Sequence, residues 1–536
     1  MNKTILCILF SFLIAVLSYS QGNIKQSFNE ATKSLFFNNY NEAMKYLSLS
    51  YKADPNNANV CYLIGYCLLH DPIYKEKSIP FFEKAIKDVA VDYVKEDYRE
   101  RRAPVDVYLY IGVAYHFAMK FKKAREMFIK YGETATIDDP LRKDELEMYL
   151  AWCNNAPEVV KDSAEIEIIN LGNIVNSKFD DHTPLVNSEE NVLIFTSRRA
   201  GSTGNQLTDD GRYFEDIYIS EKKNGQWTAP VQISNNINTA GHEATVALSP
   251  DAQNLIIYRD DFGIGNLYQS IMDSTGGWLR PQKLGSNIST ASNETSATIS
   301  SDGNMLIFAS DRPGGEGGID LYIVRKLPNG EWGLARNMGP VINTKYDEEG
   351  PFLHPDGSSL FYSSKGHTSI GGYDLFLSEQ QDDSSWSEPH NLGYPINTTG
   401  DDAYYILSSD GKRAYYSSYK EGGAGGMDLY MMNLISLPER SAAVVKGVVR
   451  ISGTDIIPTD ITITVSDVQT GAVIGVYKPN KSTGRYTLIL KHGKNYKITC
   501  EAENCEFREN IICVPKNSSF FELNTPIYLD PIGTIK

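Results

Sequence analysis

The chain has 536 residues, more than one ordinary domain holds, and about two to four domains are expected. Its apolar fraction of 41% and charged fraction of 22% are those of a globular protein, and 33 Tyr with 42 Gly favour turn-rich β-structure. A net charge of −16, with no basic run, argues against a nucleic-acid or anionic-membrane surface.

At the N-terminus, Lys3 precedes an apolar run from Ile5 to Leu17 that is too short to span a bilayer. Ser18 and Ser20 then place small residues before Gln21, which predicts a secretory signal peptide over 1–20. Cys7 lies inside the apolar run and no Cys sits at the cleavage point, so a lipid anchor is not expected. The mature protein is expected to be exported and periplasmic, without direct membrane insertion. Its six cysteines are Cys61, Cys67, Cys153, Cys500, Cys505 and Cys513. Either one disulfide forms among the last three or all are buried thiols, and none has metal-ligand spacing with a nearby His.

Residues 21–160 have helical periodicity. Asn38-Asn39-Tyr40-Asn41-Glu42-Ala43 and Asp54-Pro55-Asn56-Asn57 frame the first helix–break–helix unit, and Ala58 to Asp88 and Val105 to Glu133 repeat it. Gly65, Gly112 and Ala124 let paired helices approach closely, and Val89 to Pro104 is an insertion. Leu141 to Asn154 reads as a closing helix. The pattern resembles the tetratricopeptide repeat. That resemblance implies a solenoid that binds peptides or partner proteins on its concave face.

From Ser300, "SSDGNMLIFASDRPGGEGGIDLY" has relatives at Ser249, His354 and Ser408, and a divergent copy from Ser188 to Tyr218 ends in "FEDIY". Three copies keep the same aspartate pair: Asp302 with Asp320, Asp356 with Asp374, and Asp410 with Asp428. Trp227, Trp278, Trp332 and Trp386 follow at intervals of 51 to 54 residues, with "LG" and "IN(T)" behind them. This period, with four short strands per unit, predicts a β-propeller over 164–438 of the WD40-like, TolB-type kind. Five blades are favoured and six remain open. Leu171-Gly172 matches the tail missing from the last copy, so the strand before it is expected to complete the last blade.

The recurring aspartates and tryptophans are read as scaffold, because a ligand site rarely recurs in every blade. A repeated cation or sugar site at loops such as Gly314 to Asp320 is the competing reading. No loop has EF-hand alternation, and no Walker loop occurs. The first-blade loop, Ala200 to Tyr213, is longer than its counterparts, and its Thr208, Asp209, Asp210 and Arg212 form a candidate binding loop. A neutral insertion is the alternative.

Residues 443–532 alternate short β-runs with turns at Gly453, Gly471, Gly484 and Gly493, which predicts an Ig-like sandwich of about seven strands. "TGRYTLIL" and "GKNYKI" resemble the carboxypeptidase regulatory-like (transthyretin-like) domain, which is non-catalytic in its family.

Neither HExxH nor GxSxG occurs among the motifs, and eight His are scattered along the chain. His182 and His242 precede strands at roughly matching positions, with Glu294, Glu348 and Asp401 near that position in later copies. They are read as polar caps, with a polar propeller mouth as the alternative. Propellers do host glycosidases, but no catalytic, cofactor-binding or metal-ligating residue is assigned, and no enzyme activity is expected.

The order of segments resembles envelope proteins of Bacteroidota that usually end in an OmpA-like domain, some of which serve type IX secretion and gliding. The chain stops at "TPIYLDPIGTIK", about where such a domain would begin, which puts direct peptidoglycan anchoring in doubt. The resemblance implies a non-catalytic periplasmic scaffold with envelope or outer-membrane proteins as partners. A glycan- or peptide-binding propeller and a propeller hydrolase are the other readings.

Overall fold

The computed structural model describes residues 24–161, 163–208, 211–273, 275–381, 384–435, 442–515 and 521–532. The predicted signal peptide, Asp209 and Asp210 lie outside the described residues. The chain divides into two compact units, Met1–Glu158 and Val159–Lys536.

The first unit consists of helical hairpins: α1 (residues 24–36), α2 (Tyr40–Ala53), α3 (Ala58–Leu69), α4 (Ile79–Ala85), α5 (Val107–Phe117), α6 (Phe121–Thr134) and α7 (Pro140–Val159). Asn39 and Asn57 start α2 and α3 by accepting the Glu42 and Val60 amides on their side chains. Asn38 and Met119 make the tight turns into α2 and α6 at positive φ. Gly65 lies flat against Phe82 and Gly112 against Phe128, and both rings are fully buried. The insertion after α4 is tied by a short parallel pairing of Val89–Ala90 with Ala103–Pro104.

In the second unit, five antiparallel sheets succeed one another as the blades of a β-propeller. Their innermost strands are Asp181–Val186, Glu243–Leu248, Glu294–Ile299, Glu348–Leu353 and Ile406–Leu407. Ile166–Asn170 pairs with Asp428–Leu434, from Asn170 opposite Tyr430 to Ile166 opposite Leu434, and so supplies the outer strand of blade five. The ring is closed by residues from both ends of the propeller segment.

Alternation along each strand sends successive apolar side chains to opposite neighbours. Leu255 and Ile257 of blade two pack on Ile194 and Ile217 of blade one, while Ile256 packs on Leu306 and Phe308 of blade three. Ile307 and Leu321 meet Leu360 and Tyr362 of blade four; Phe361 and Leu375 meet Tyr416 and Tyr430 of blade five. Tyr415 and Leu429 meet Leu193 and Phe195, completing the circuit. The core is thus five apolar seams between blades. Trp278 is buried in the first seam, and Trp227, Trp332 and Trp386 lie half-buried at the edges of three others.

Residues 442–532 form two sheets around one core that includes Val445, Leu488, Ile463, Val465 and Ile498. Eight strands are present among the described residues, against about seven expected. Pro526 has no amide to donate, so the last segment meets Ala442–Ile451 in two pieces, Phe521–Asn524 and Ile527–Leu529. The six described cysteines are free thiols; only Cys513 is exposed. Among the described residues no helix is long and apolar enough to cross a membrane.

Candidate functional site

The repeated residues lie mostly at the joints between blades. The Asn of "IN(T)" clamps the third strand of the blade before it. Asn343 accepts the Leu321 amide and donates to the Leu321 carbonyl, Asn397 does the same to Leu375, and Asn238 and Asn176 do so to Ile217 and Leu429. The Thr that follows this position donates its amide and hydroxyl to a buried acid that opens the next inner strand or, in blade five, precedes it: Thr239 to Glu243, Thr290 to Glu294, Thr344 to Glu348, Thr398 to Asp402.

Asp320, Asp374 and Asp428 accept backbone amides of their own glycine-rich loops, and each also accepts an amide side chain: Asn337, Asn391 and Asn170, all at 2.9 Å. Asp302, Asp356 and Asp410 accept amides and hydroxyls within their turns, where Gly303, Gly357 and Gly411 have φ near 70°. Among the described residues no cluster of three His, Cys, Asp or Glu could hold a metal ion.

The glycine pairs dock one blade on the next. A Cβ on Gly317, Gly371 or Gly425 would overlap backbone at Tyr346, Thr398 or Ser177–Lys178 respectively. A Cβ on Gly318, Gly372 or Gly426 would strike Asp347, Asp401 or Asp180. Those aspartates accept the amides of Ile319, Tyr373 and Met427 at 2.9 to 3.1 Å, and Asn293 accepts the Gly265 amide likewise. Asp401 is therefore a clasp between blades.

The joint between blades one and two breaks this rule. Tyr213-Phe214 stands where the glycine pair would be, Glu215 where Ile319 is, and His242 where the clasping Asp is. The bulky residues hold the loop off, and side chains bridge the gap. His242 packs on Phe214 with ring centroids 4.6 Å apart and meets Glu215 Oε2 through Nδ1 at 3.1 Å. His182 Nε2 lies 3.5 Å from Glu215 Oε1. Burial alone would raise the Glu215 carboxyl; the two imidazoles outweigh it and hold the group well below the usual carboxylate range.

Glu215 and His182 line a cavity of about 340 Å³ at the mouth of the central channel, bordered by all five inner strands or their approaches. Across it stands Glu349 of blade four, buried, which accepts the Tyr404 hydroxyl at 2.6 Å and the Thr295 hydroxyl at 3.0 Å. Burial raises the Glu349 carboxyl, against the pull of those two hydrogen bonds. Tyr258, Thr245 and Ser296 add polar atoms to the wall, while Leu185, Val246, Pro351 and Ile406 give it apolar surface. Thr183 and Tyr404 line the same mouth at φ 45° and 58°, a conformation costly for residues with a Cβ.

His182 and His242 differ in register: His182 follows the inner-strand acid Asp181, whereas His242 precedes Glu243. Glu294 and Glu348 are themselves inner-strand acids and do not line the mouth. In the long first-blade loop, Arg212 pairs with Asp180 at 2.9 Å and Thr208 accepts from Arg198 at 3.0 Å. Both contacts hold the loop to the body, and neither residue lines the mouth cavity.

The inner-strand acids carry their own consequence. Arginines meet three of them: Arg199 with Asp181, Arg259 with Glu243, Arg312 with Glu294. Gly366 and Lys420 occupy the Arg312 position in blades four and five. Burial pushes both Glu348 and Asp402 up to about 7. Folded chains hold these protons where unfolded chains release them, so the stability they contribute is full below the ordinary carboxylate range and is lost as pH rises through about 7. Glu348→Gln is expected to narrow the difference between thermal melts at roughly pH 5 and pH 8 relative to the parent. An unchanged difference would mean that Glu348 is already ionised in the fold.

No protein-family model and no curated protein matches the chain. Among solved structures it aligns with TolB from Acinetobacter baumannii at 16% identity and TM-score 0.31, over 49% of this chain and 55% of that one. It aligns with the catalytic domain of the Coprinopsis cinerea GH62 α-L-arabinofuranosidase at 11% identity and TM-score 0.35, over 51% and 98%. The β-propeller domain of the Trilobed protease from Pyrococcus furiosus aligns at 10% identity and TM-score 0.25, over 63% and 82%. The chain thus spans little more than half the length of that TolB. The propeller architecture itself rests on the five sheets and their closure.

Proposed function

We propose that the chain is a non-catalytic scaffold of the periplasm, which holds partner proteins in an outer-membrane-associated complex of the type IX secretion or gliding kind. The observation that carries the reading is a groove in the helical unit. It encloses about 370 Å³ between α1, α3, α5 and the insertion, and Tyr62, Tyr66, Tyr93 and Tyr110 line it. Tyr66 and Tyr110 meet edge to face at 5.0 Å. Phe36 at its border is 79% exposed, an apolar ring that a bound partner would cover. Tyrosine-rich grooves suit protein recognition, because the side chain brings large contact area at small entropic cost. Tetratricopeptide-type repeats use this face for peptides.

The propeller mouth supports a second reading, a binding module for a glycan or peptide. A hydrolase is the third reading, since Glu215 and Glu349 both face the mouth cavity. Crosslinking in intact envelopes, followed by capture of the tagged chain and identification of what it holds, tests the scaffold reading. Recovery of specific outer-membrane or anchoring proteins is expected. Capture of none, together with turnover of an oligosaccharide that Glu349→Gln abolishes, would replace the scaffold with the hydrolase.

A further inference from the structure

We propose that the propeller mouth receives the cationic head of one lysine or arginine side chain from a partner protein. The inference rests on the scaffold reading and assigns a chemistry to a second contact. In a ring of five, the joint between blades one and two lies across from blade four, so Glu215 and Glu349 face the cavity from opposite sides. No lysine or arginine is among the described residues that line it. Lys365, which lies nearby, is engaged by Asp347 at 2.7 Å.

Each mouth carboxylate retains acceptor capacity. Glu349 takes one hydroxyl on each oxygen and Glu215 one imidazole on each, whereas a carboxylate offers about four lone-pair sites. Tyr258 and Tyr404 add aromatic rings to the wall, and such rings attract ammonium and guanidinium groups. The apolar stretch formed by Leu185, Val246, Pro351 and Ile406 suits the methylene stem of a long basic side chain. A space of about 340 Å³ takes one side chain but not a helix, whose width is about 10–12 Å. The net charge of −16 favours approach of a basic surface such as a partner protein would present.

The test is titration of the full chain with N-acetyl-argininamide, N-acetyl-lysinamide, their neutral analogue N-acetyl-norleucinamide, putrescine and methyl glucoside, read by NMR. The cationic amino-acid amides are expected to saturate, with the neutral analogue weaker by about tenfold, the worth of one charge-assisted contact. Added salt is expected to weaken them, and Glu349→Gln and Glu215→Gln each to lower their affinity by a similar factor. Equal binding of the norleucine amide, preference for methyl glucoside, or no saturation by any cation would overturn the proposal. Tighter binding of putrescine than of either amide would overturn its protein source. The ligand comparison on the unsubstituted chain stands even if a variant fails to fold. Capture of partners through the helical groove can succeed while this test fails, so the two readings fall separately.

Discussion

Gly371→Ala is expected to destabilise the propeller by about 3 kcal/mol, although it adds only one methyl group. The added Cβ would overlap the carbonyl oxygens of Thr398 and Gly400. Those are backbone atoms of the loop that carries Asn397 and Thr398, and they have nowhere to go. Asn397 is clamped to Leu375 at 2.7 and 2.9 Å, and Thr398 to Asp402 at 2.6 and 2.9 Å. Relief of the overlap therefore breaks the joint between blades four and five. Gly285→Ala is the control, since its added Cβ would meet nothing within 4 Å. Its melting curve is expected to stay within about 0.5 kcal/mol of the parent. Equal melting of the two variants would show that the glycine pair does not set the spacing between blades.

Asn170→Asp is expected to have an effect of similar size by a different route. Asn170 is the last residue of the closing strand, and its Nδ2 donates to Asp428 at 2.9 Å. Its Oδ1 accepts the Gly172 amide and the Asn176 side chain. The substitution keeps the shape, removes the donor and sets a second carboxylate against a fully buried one. A buried charge that loses its partner costs about 3 kcal/mol or more. The loss is expected to grow from acid to neutral pH, as the new carboxyl ionises. Because Ile166–Asn170 closes the ring, the variant is also expected to expose the edge of Asp428–Leu434 and to self-associate on heating. Light scattering during a thermal melt reads this directly, and a clear, unshifted melt would mean that blade five stands without its outer strand.

Much of the propeller is legible in the sequence because its joints are built from the repeat itself. The five copies of the repeat count the blades, the Trp spacing gives their period, and Leu171-Gly172 marks the strand that closes them. Single residues then tell less than departures from the pattern. "FEDIY" at Phe214 to Tyr218, set against "GIDLY" and "GMDLY", marks the joint where the Gly-Asp clasp is replaced by Glu215 and His242. Glu349 and Tyr404 were not legible. Glu349 follows another acid, Glu348, and strand alternation sends the two side chains opposite ways, but the sequence does not say which of them faces the mouth. The first-blade loop stands out in the sequence by its length, yet Thr208 and Arg212 are occupied in holding that loop down. In the helical unit, Gly65 and Gly112 could be read as close-packing positions, but the aromatic groove required knowing that α1, α3 and α5 share one face.

The most direct measurement is a comparison of two captures from crosslinked envelopes, one with the parent chain and one carrying both Tyr66→Ala and Tyr110→Ala. These rings lie in the groove rather than in the hairpin contacts made by Gly65, Gly112, Phe82 and Phe128, so the melting of the helical unit serves as the folding check. The account predicts a specific partner with the parent chain and a loss of about tenfold or more with the variant, as for truncation of aromatic anchors at an interface. Undiminished recovery by a folded variant would contradict the groove as the point of attachment and with it the scaffold reading as argued from the helical unit.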